Sequence, residues 1–165
     1  MIESIEILIN ALRAELQEYG EMLALLDSQQ KHVMARAGGE VFQTVGLIQS
    51  QGVTVRDARL HRERCSRVVA GQLGLTENAS FARLLPKLPA DYRPLVKALV
   101  EENNELLVRV QQRARQNHVL LSRSLELMQG LMDSLLPNRE TRVYNGRGSM
   151  QVHEAGVRSF YQGVG

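Results

Sequence analysis

A histidine and a cysteine at helical spacing are the first residues of this sequence that could do chemistry. His61 and Cys65 are four residues apart, so both side chains would lie on one face of a helix and could supply two metal ligands. A zinc site needs at least three protein ligands, and the neighbouring arginines repel a cation. No histidine belongs to an H-x-x-x-H or H-E-x-x-H pair. We therefore expect no metal and no other cofactor.

Carboxylates and glycines offer two further possibilities. Glu101, Glu102 and Glu105 are clustered but lack the Glu-x-x-His partner of di-iron bundles, so we interpret them as a solvated helix face. Gly146-Arg147-Gly148 lacks the Gly-Lys-Ser/Thr ending of a phosphate-binding loop. The serines and the single cysteine have no recognisable general base. The sequence therefore predicts a protein that is not an enzyme.

The overall composition favours long helices. Of the 165 residues, 44% are apolar but only 4% are aromatic, and strands alternating with helices are not evident. The formal charge of +2 is too small for general attraction to nucleic acid or anionic lipid. No apolar stretch approaches the length of a membrane span, and the first residues do not resemble a signal peptide. We expect a cytoplasmic protein without membrane insertion.

Apolar residues recur at alternating steps of four and three along most of the chain, which is typical of helices packed through heptad seams. The pattern predicts an all-α fold, namely an elongated antiparallel bundle of three long helices with a short connecting helix and a flexible C-terminal tail. We place the bundle in residues 1–136 and the tail in residues 137–165. The helices are predicted at residues 2–37, 40–73, 81–85 and 92–136.

Glycine and proline mark the predicted helix ends. Gly38-Gly39 is expected to end the first helix, because paired glycines supply the positive φ angles of a tight turn. Gly71 and Gly74 are expected to end the second, and a kink is expected near Gly52. Pro94 suits the first turn of the last long helix, where its missing N–H costs nothing.

Charge is distributed unevenly between the first two helices. Residues 1–30 have a net charge of −5, and residues 56–67 have a net charge of +3. We expect the basic stretch to lie across from the acidic helix, where its positive charge would serve to hold the two helices together. The alternative is phosphate binding, with affinity that falls steeply with salt. Its candidate residues are Arg56, Arg59, Arg62, Arg64 and Arg67.

Polar residues interrupt the seam of the last long helix. Asn103, Asn117 and Ser124 stand at seam positions, so they are predicted to be buried. A buried asparagine at such a position costs stability but fixes the register of the helices. Met128 also follows the seam, and it is either core or part of an adaptable contact surface.

Residues 137–165 are different in composition. They contain five glycines and three of the seven aromatic residues, without helical periodicity. A polar linker would not carry this apolar content, which is typical of a segment that orders on a partner. The alternative is a tail that folds back on its own bundle.

The order of these features resembles the FlgN-type flagellar export chaperones, over about residues 5–150. The similar stretches follow a long acidic helix and keep the family's order. They are Leu73-Gly74-Leu75, Phe81-Ala82-Arg83-Leu84-Leu85, Glu102-Asn103-Asn104, Asn117-His118-Val119-Leu120-Leu121 and Tyr144-Asn145-Gly146-Arg147-Gly148.

The resemblance implies a cytoplasmic chaperone of flagellar type III secretion. Such a chaperone binds the C-terminal helices of hook-associated proteins 1 and 3, prevents premature self-association and delivers these clients to the export gate. The family binds clients mainly through its C-terminal part. Taken with composition, this gives the predicted partner-binding residues Met128, Leu131, Leu135, Val143, Tyr144, Met150, Val152, Phe160 and Tyr161. The alternative is a structural coiled-coil adaptor that forms homo-oligomers through its seams.

Overall fold

The computed structural model describes residues 1–135, and all four of the α-helices in this part of the chain fall close to predicted segments. The predicted all-α fold is confirmed, with three long helices and a short connecting helix. The chain divides into two compact units, Met1–Leu125 and Glu126–Gly165, and the second is described as far as Leu135. The helices are α1 (Ile2–Met34), α2 (Gly38–Gln72), α3 (Phe81–Leu84) and α4 (Arg93–Leu135). A 3-10 turn, Leu85–Lys87, follows α3.

Helix α1 is the common partner of the other two long helices. The hydrogen bond from Gln72 to Ser4 and the contact of Arg62 with Glu15 show that α2 runs antiparallel to α1. The Asn103 amide contacts α1 at Leu12 and the Asn117 amide contacts it at Leu26, so α4 runs in the same direction as α1. Within residues 1–135, every side-chain hydrogen bond or ion pair between two of these three helices has a partner in α1.

The apolar cluster lies at one end of this arrangement. It joins the first turns of α1 to the last turns of α2, to α3 and to the start of α4. Toward the α1–α2 turn, the buried residues are mostly polar and include Gln29, Thr44 and Asn117. The cluster consists of Ile5, Leu8, Ile9, Ala11, Leu12, Cys65, Val69, Ala70, Leu84, Leu88, Val96 and Leu99.

The turn between α1 and α2 differs from the prediction. Gly38 and Gly39 do not end α1, because they form the first turn of α2. The positive φ angle belongs to Arg36, at 55°. The Ala37 N–H bonds to His32 O and the Arg36 N–H to Val33 O, the bonding pattern of a Schellman motif. Arginine therefore occupies the left-handed position that glycine usually takes.

The other helix ends agree with the prediction. Gly74 has a φ of 67° and closes a second Schellman motif, in which the Leu75 N–H bonds to Ala70 O. Helix α2 continues through Gly52 without a break, and the kink expected there stays a prediction. Helix α4 begins at Arg93, so Pro94 lies in its first turn.

Most predicted seam positions up to Leu121 are buried or half-buried. Ile5, Leu12 and Leu26 of α1 are buried. Helix α1 also buries a second line, which includes Leu8 and Ala11, because it packs against two helices. Asn103 and Asn117 of α4 are buried as predicted, whereas Ser124 is exposed and bonds to Leu120 O of its own helix, so its predicted burial is wrong.

Candidate protein-binding site

The last turns of α4 expose a continuous apolar stripe, which we call the terminal stripe. Its five residues are spaced at i, i+1, i+4, i+5 and i+8, and at 100° per residue they cover an arc of about 140°. Each is between 60% and 77% exposed. They are Leu127, Met128, Leu131, Met132 and Leu135.

The terminal stripe contains three of the predicted partner-binding residues. Met128, Leu131 and Leu135 are all exposed, so the interpretation of Met128 as core is wrong. The prediction did not include Leu127 and Met132 as contact residues. Both follow from the width of the stripe, because each adjoins a predicted seam residue on the helix surface. The other predicted contacts lie outside the described residues; they are Val143, Tyr144, Met150, Val152, Phe160 and Tyr161.

The chemistry of the stripe is suited to a protein helix. Two methionines and three leucines offer an adaptable apolar surface without fixed polar donors. Such a surface can accept the apolar face of an amphipathic helix in the helix-in-groove mode. Exposed apolar stripes of this kind mark interaction sites more often than single exposed leucines do.

Polar contacts within residues 1–125 fix the helices of that unit on one another. Glu15 is buried and accepts from Arg62 Nε at 2.9 Å, from Arg62 Nη2 at 3.3 Å and from the Tyr19 hydroxyl at 3.1 Å. Burial and the Glu15 carboxylate raise the pKa of Tyr19 to about 12. The Arg62 guanidinium also lies 5.9 Å from the centre of the Phe81 ring. Arg62 thereby joins α2 to both α1 and α3.

The charge prediction is confirmed by this contact. Of the five arginines in residues 56–67, Arg62 faces the acidic helix, and Arg56, Arg59, Arg64 and Arg67 are exposed. Arg59 pairs with Glu63 of its own helix at 3.1 Å. The half-buried Arg62 thus has a structural role, while the other four arginines remain on the surface.

Helices α1 and α4 are joined by a second set of polar contacts. Arg113 pairs with Asp27, with Nε and Oδ1 2.7 Å apart, and donates to Gln30. Asn117 Nδ2 donates to Leu26 O at 2.7 Å and to the Gln29 side chain at 3.1 Å. These contacts hold α4 on α1 along its middle turns.

The described residues do not present a metal site. His61 Nε2 lies 3.8 Å from Cys65 Sγ, and burial raises the pKa of the Cys65 thiol. No group of three histidine, cysteine or acidic side chains in residues 1–135 could hold a metal ion. Glu101, Glu102 and Glu105 are exposed, in agreement with their interpretation as a solvated face.

A shallow depression of about 380 Å³ lies at the start of α4 and is open to solvent. Its lining offers no carboxylate, imidazole, hydroxyl or thiol; it consists of Leu85, Pro86, Arg93, Pro94 and Lys97. Within residues 1–135, no helix combines the length and the apolar content needed to cross a bilayer.

Comparison with known proteins identifies a family. A family model described as FlgN protein matches residues 1–151, which is most of the chain. The match covers the terminal stripe and the segment that contains Tyr144. No curated protein matches the chain. No solved structure matches it.

Proposed function

This chain belongs to the FlgN family of flagellar export chaperones, and on that premise we propose that its clients are hook-associated proteins 1 and 3. The chaperone binds their C-terminal helices in the cytoplasm, prevents premature self-association and delivers them to the export gate. FlgN is a chaperone family and not an enzyme family.

The observation that carries the proposal is the terminal stripe. Five apolar side chains at helical spacing are exposed, which is costly for a surface with no partner. A client helix that covers the stripe removes this area from water. The C-terminal helices of the clients are amphipathic, so their apolar faces complement it.

We place further contacts in residues 137–165. Val143, Tyr144, Met150 and Val152 follow the terminal stripe in sequence, and the tail adds Phe160 and Tyr161. Ordering such a segment on the client costs conformational entropy, so the complex is expected to have moderate affinity and to release its client readily.

The test is a pull-down of purified hook-associated proteins 1 and 3 with the full-length chain. A Leu131→Ser/Leu135→Ser variant is compared in parallel, and we expect at least a tenfold loss of affinity. A truncation to residues 1–136 is expected to bind weakly or not at all. Retained affinity in the truncation would assign binding to the helices alone.

The matched control is Val119→Ser. Val119 is also an exposed apolar residue of α4, but it lies on the opposite side of the helix from the stripe. The Val119→Ser variant is expected to bind clients with the affinity of the native chain. If neither client binds the native chain, the client assignment is wrong, and sedimentation equilibrium then tests the adaptor alternative by the presence of a stable dimer.

A further inference from the structure

The solvent side of α2 carries a second apolar line. Phe42, Val53 and Leu60 are 81%, 57% and 40% exposed. They are eleven and seven residues apart, so at 100° per residue all three fall within about 20° of one line along the helix. Gln51 and Arg62, which contact α1, lie about 180–200° around the helix from Phe42.

Helix α2 therefore has apolar residues on two opposite sides. A helix on the surface of a globular protein usually has one apolar stripe, which faces the core. A helix with heptad-like spacing on two faces is typical of one that packs between two partners. Helix α1 covers one face of α2. The other face is exposed to solvent in the described part of the chain.

Arginines border the exposed line. Arg56, Arg64 and Arg67 are exposed, and none of them forms an ion pair with a residue in the described range 1–135. Arg64 and Arg67 follow Leu60 by four and seven residues, which continues the line toward the end of α2. The surface thus combines an apolar line with an excess of positive charge.

We propose that this surface binds an amphipathic helix of another protein whose apolar stripe is bordered by carboxylates. We call the surface the outer face of α2 and define it by Phe42, Val53, Arg56, Leu60, Arg64 and Arg67. The outer face contains none of the terminal-stripe residues. It is therefore a second interaction site, composed of different residues from the proposed client site.

The inner side of α2 supports this choice of partner. There α2 already packs against an acidic amphipathic helix, α1. Arg62 pairs with Glu15, and Gln51 Nε2 donates to the Glu18 carboxylate at 2.7 Å. The outer face offers the same chemistry, an apolar line with arginine donors, and an external acidic helix would supply the matching acceptors.

Nucleic acid fits the outer face less well. Phosphate binding needs a run of cations, whereas here Leu60 stands between Arg56 and Arg64, and Val53 precedes them on the same side of the helix. Phe42 is 14 residues from Arg56, about 21 Å along the helix, so it is too far away to stack a base beside the arginines. The net charge of the whole chain is also only +2.

Two designed helical peptides probe the outer face. Both carry leucines at heptad seam positions; one has glutamates at the flanking positions and its twin has lysines. Binding of labelled peptide to the full-length chain is measured by fluorescence anisotropy. We expect the glutamate peptide to bind with a Kd of about 1–50 µM and the lysine peptide at least tenfold more weakly.

Two variants locate the binding. Val53→Ser/Leu60→Ser removes apolar surface, and Arg64→Gln/Arg67→Gln removes charge; each is expected to weaken binding of the glutamate peptide about tenfold. All four residues are exposed, so the helical content is expected to stay native by circular dichroism. The matched control is Val108→Ser/Val119→Ser, which changes two equally exposed valines on α4 and is expected to bind normally.

Each other outcome overturns the proposal. Absence of binding at about 100 µM glutamate peptide, equal binding of both peptides, or normal binding by the two variants would do so. A dimer of the native chain that Val53→Ser/Leu60→Ser dissolves would assign the outer face to a second copy. Tighter binding of duplex RNA or anionic vesicles through Arg64 and Arg67 would assign it to a polyanion.

Discussion

Asn103 and Asn117 make the same contact with α1 at two levels. Asn103 Nδ2 donates to Leu12 O at 3.0 Å and Asn117 Nδ2 to Leu26 O at 2.7 Å. Each donor is 91 residues from its acceptor, so a single register holds over two heptads. The Oδ1 atoms of both amides are buried and accept no hydrogen bond from the described residues. The two asparagines therefore fix the alignment of α4 on α1 at a cost in stability.

Replacement of both asparagines should separate stability from register. Asn103→Leu/Asn117→Leu removes two buried unsatisfied acceptors and adds apolar burial, so we expect the melting temperature to rise by a few degrees, at about 3 °C per kcal/mol. Loss of the two polar contacts should allow more than one alignment, seen as extra α4 signals in ¹H–¹⁵N spectra. Asn104→Leu, at an exposed position, is the control. A lower melting temperature with one set of signals would contradict this account.

The two Schellman motifs predict that substitutions at Arg36 and Gly74 change the free energy of unfolding in opposite directions. Arg36→Gly should stabilise the protein by about 0.5–1 kcal/mol, because it relieves the left-handed conformation of a residue with a Cβ atom. Gly74→Ala should destabilise by about 1 kcal/mol for the converse reason, although no atom lies within 4 Å of the added methyl group. Urea denaturation measures both. Gly71→Ala, at a position with equal space and no positive φ, should not destabilise; if it does, φ is not the cause.

The Glu15–Arg62 pair should be strongly coupled. Arg62→Met leaves a buried carboxylate without its cation and should cost about 3 kcal/mol in the free energy of unfolding. Arg59→Met removes an exposed pair with Glu63 and should cost less than about 1 kcal/mol. The double variant Glu15→Leu/Arg62→Met should recover most of the loss. Additive losses in a double-mutant cycle would show that the two groups do not interact.

Alkaline pH should destabilise the folded state through Tyr19. Its pKa is about 12 in the folded protein and 10.0 in the unfolded chain, so above pH 10 the unfolded chain releases a phenolic proton that the folded chain retains. The stabilisation is therefore complete below pH 10 and is lost as pH rises toward about 12. Tyr19→Phe should flatten this dependence in urea midpoints. An unchanged slope in the variant would remove Tyr19 as the cause.

Much of the fold could be predicted because heptad spacing reports which side of a helix is buried. The spacing identified Asn103 and Asn117 as interior residues, although both are polar. It did not identify Leu8 and Ala11, since a single seam describes contact with one neighbour and α1 has two. Ser124 follows the seam but is level with Val33 at the common offset of 91 residues, where α1 is about to end.

Local composition was less informative about turns and single charges. The pair Gly38-Gly39 indicates a turn, but the chain turns at Arg36, and both glycines then join α2 with ordinary helical angles. Net charge predicted that a basic stretch would face the acidic helix, yet it could not select Arg62 from five arginines. That choice depends on the rotational setting of α2, which is determined by packing along its whole length.

The position of the apolar cluster bears on the order of folding. Leu12 and Val69 belong to the cluster, whereas the interior near the turn contains Gln29 and Thr44. Formation of this buried cluster therefore requires closure of a long loop between the start of α1 and the end of α2. Closing a long loop costs chain entropy, which lowers the folding rate. We expect high φ-values for Val69→Ala and low ones for substitutions of Thr44. The reverse pattern would mean that contacts between α1 and α2 form first beside the turn at Arg36 and then spread away from it.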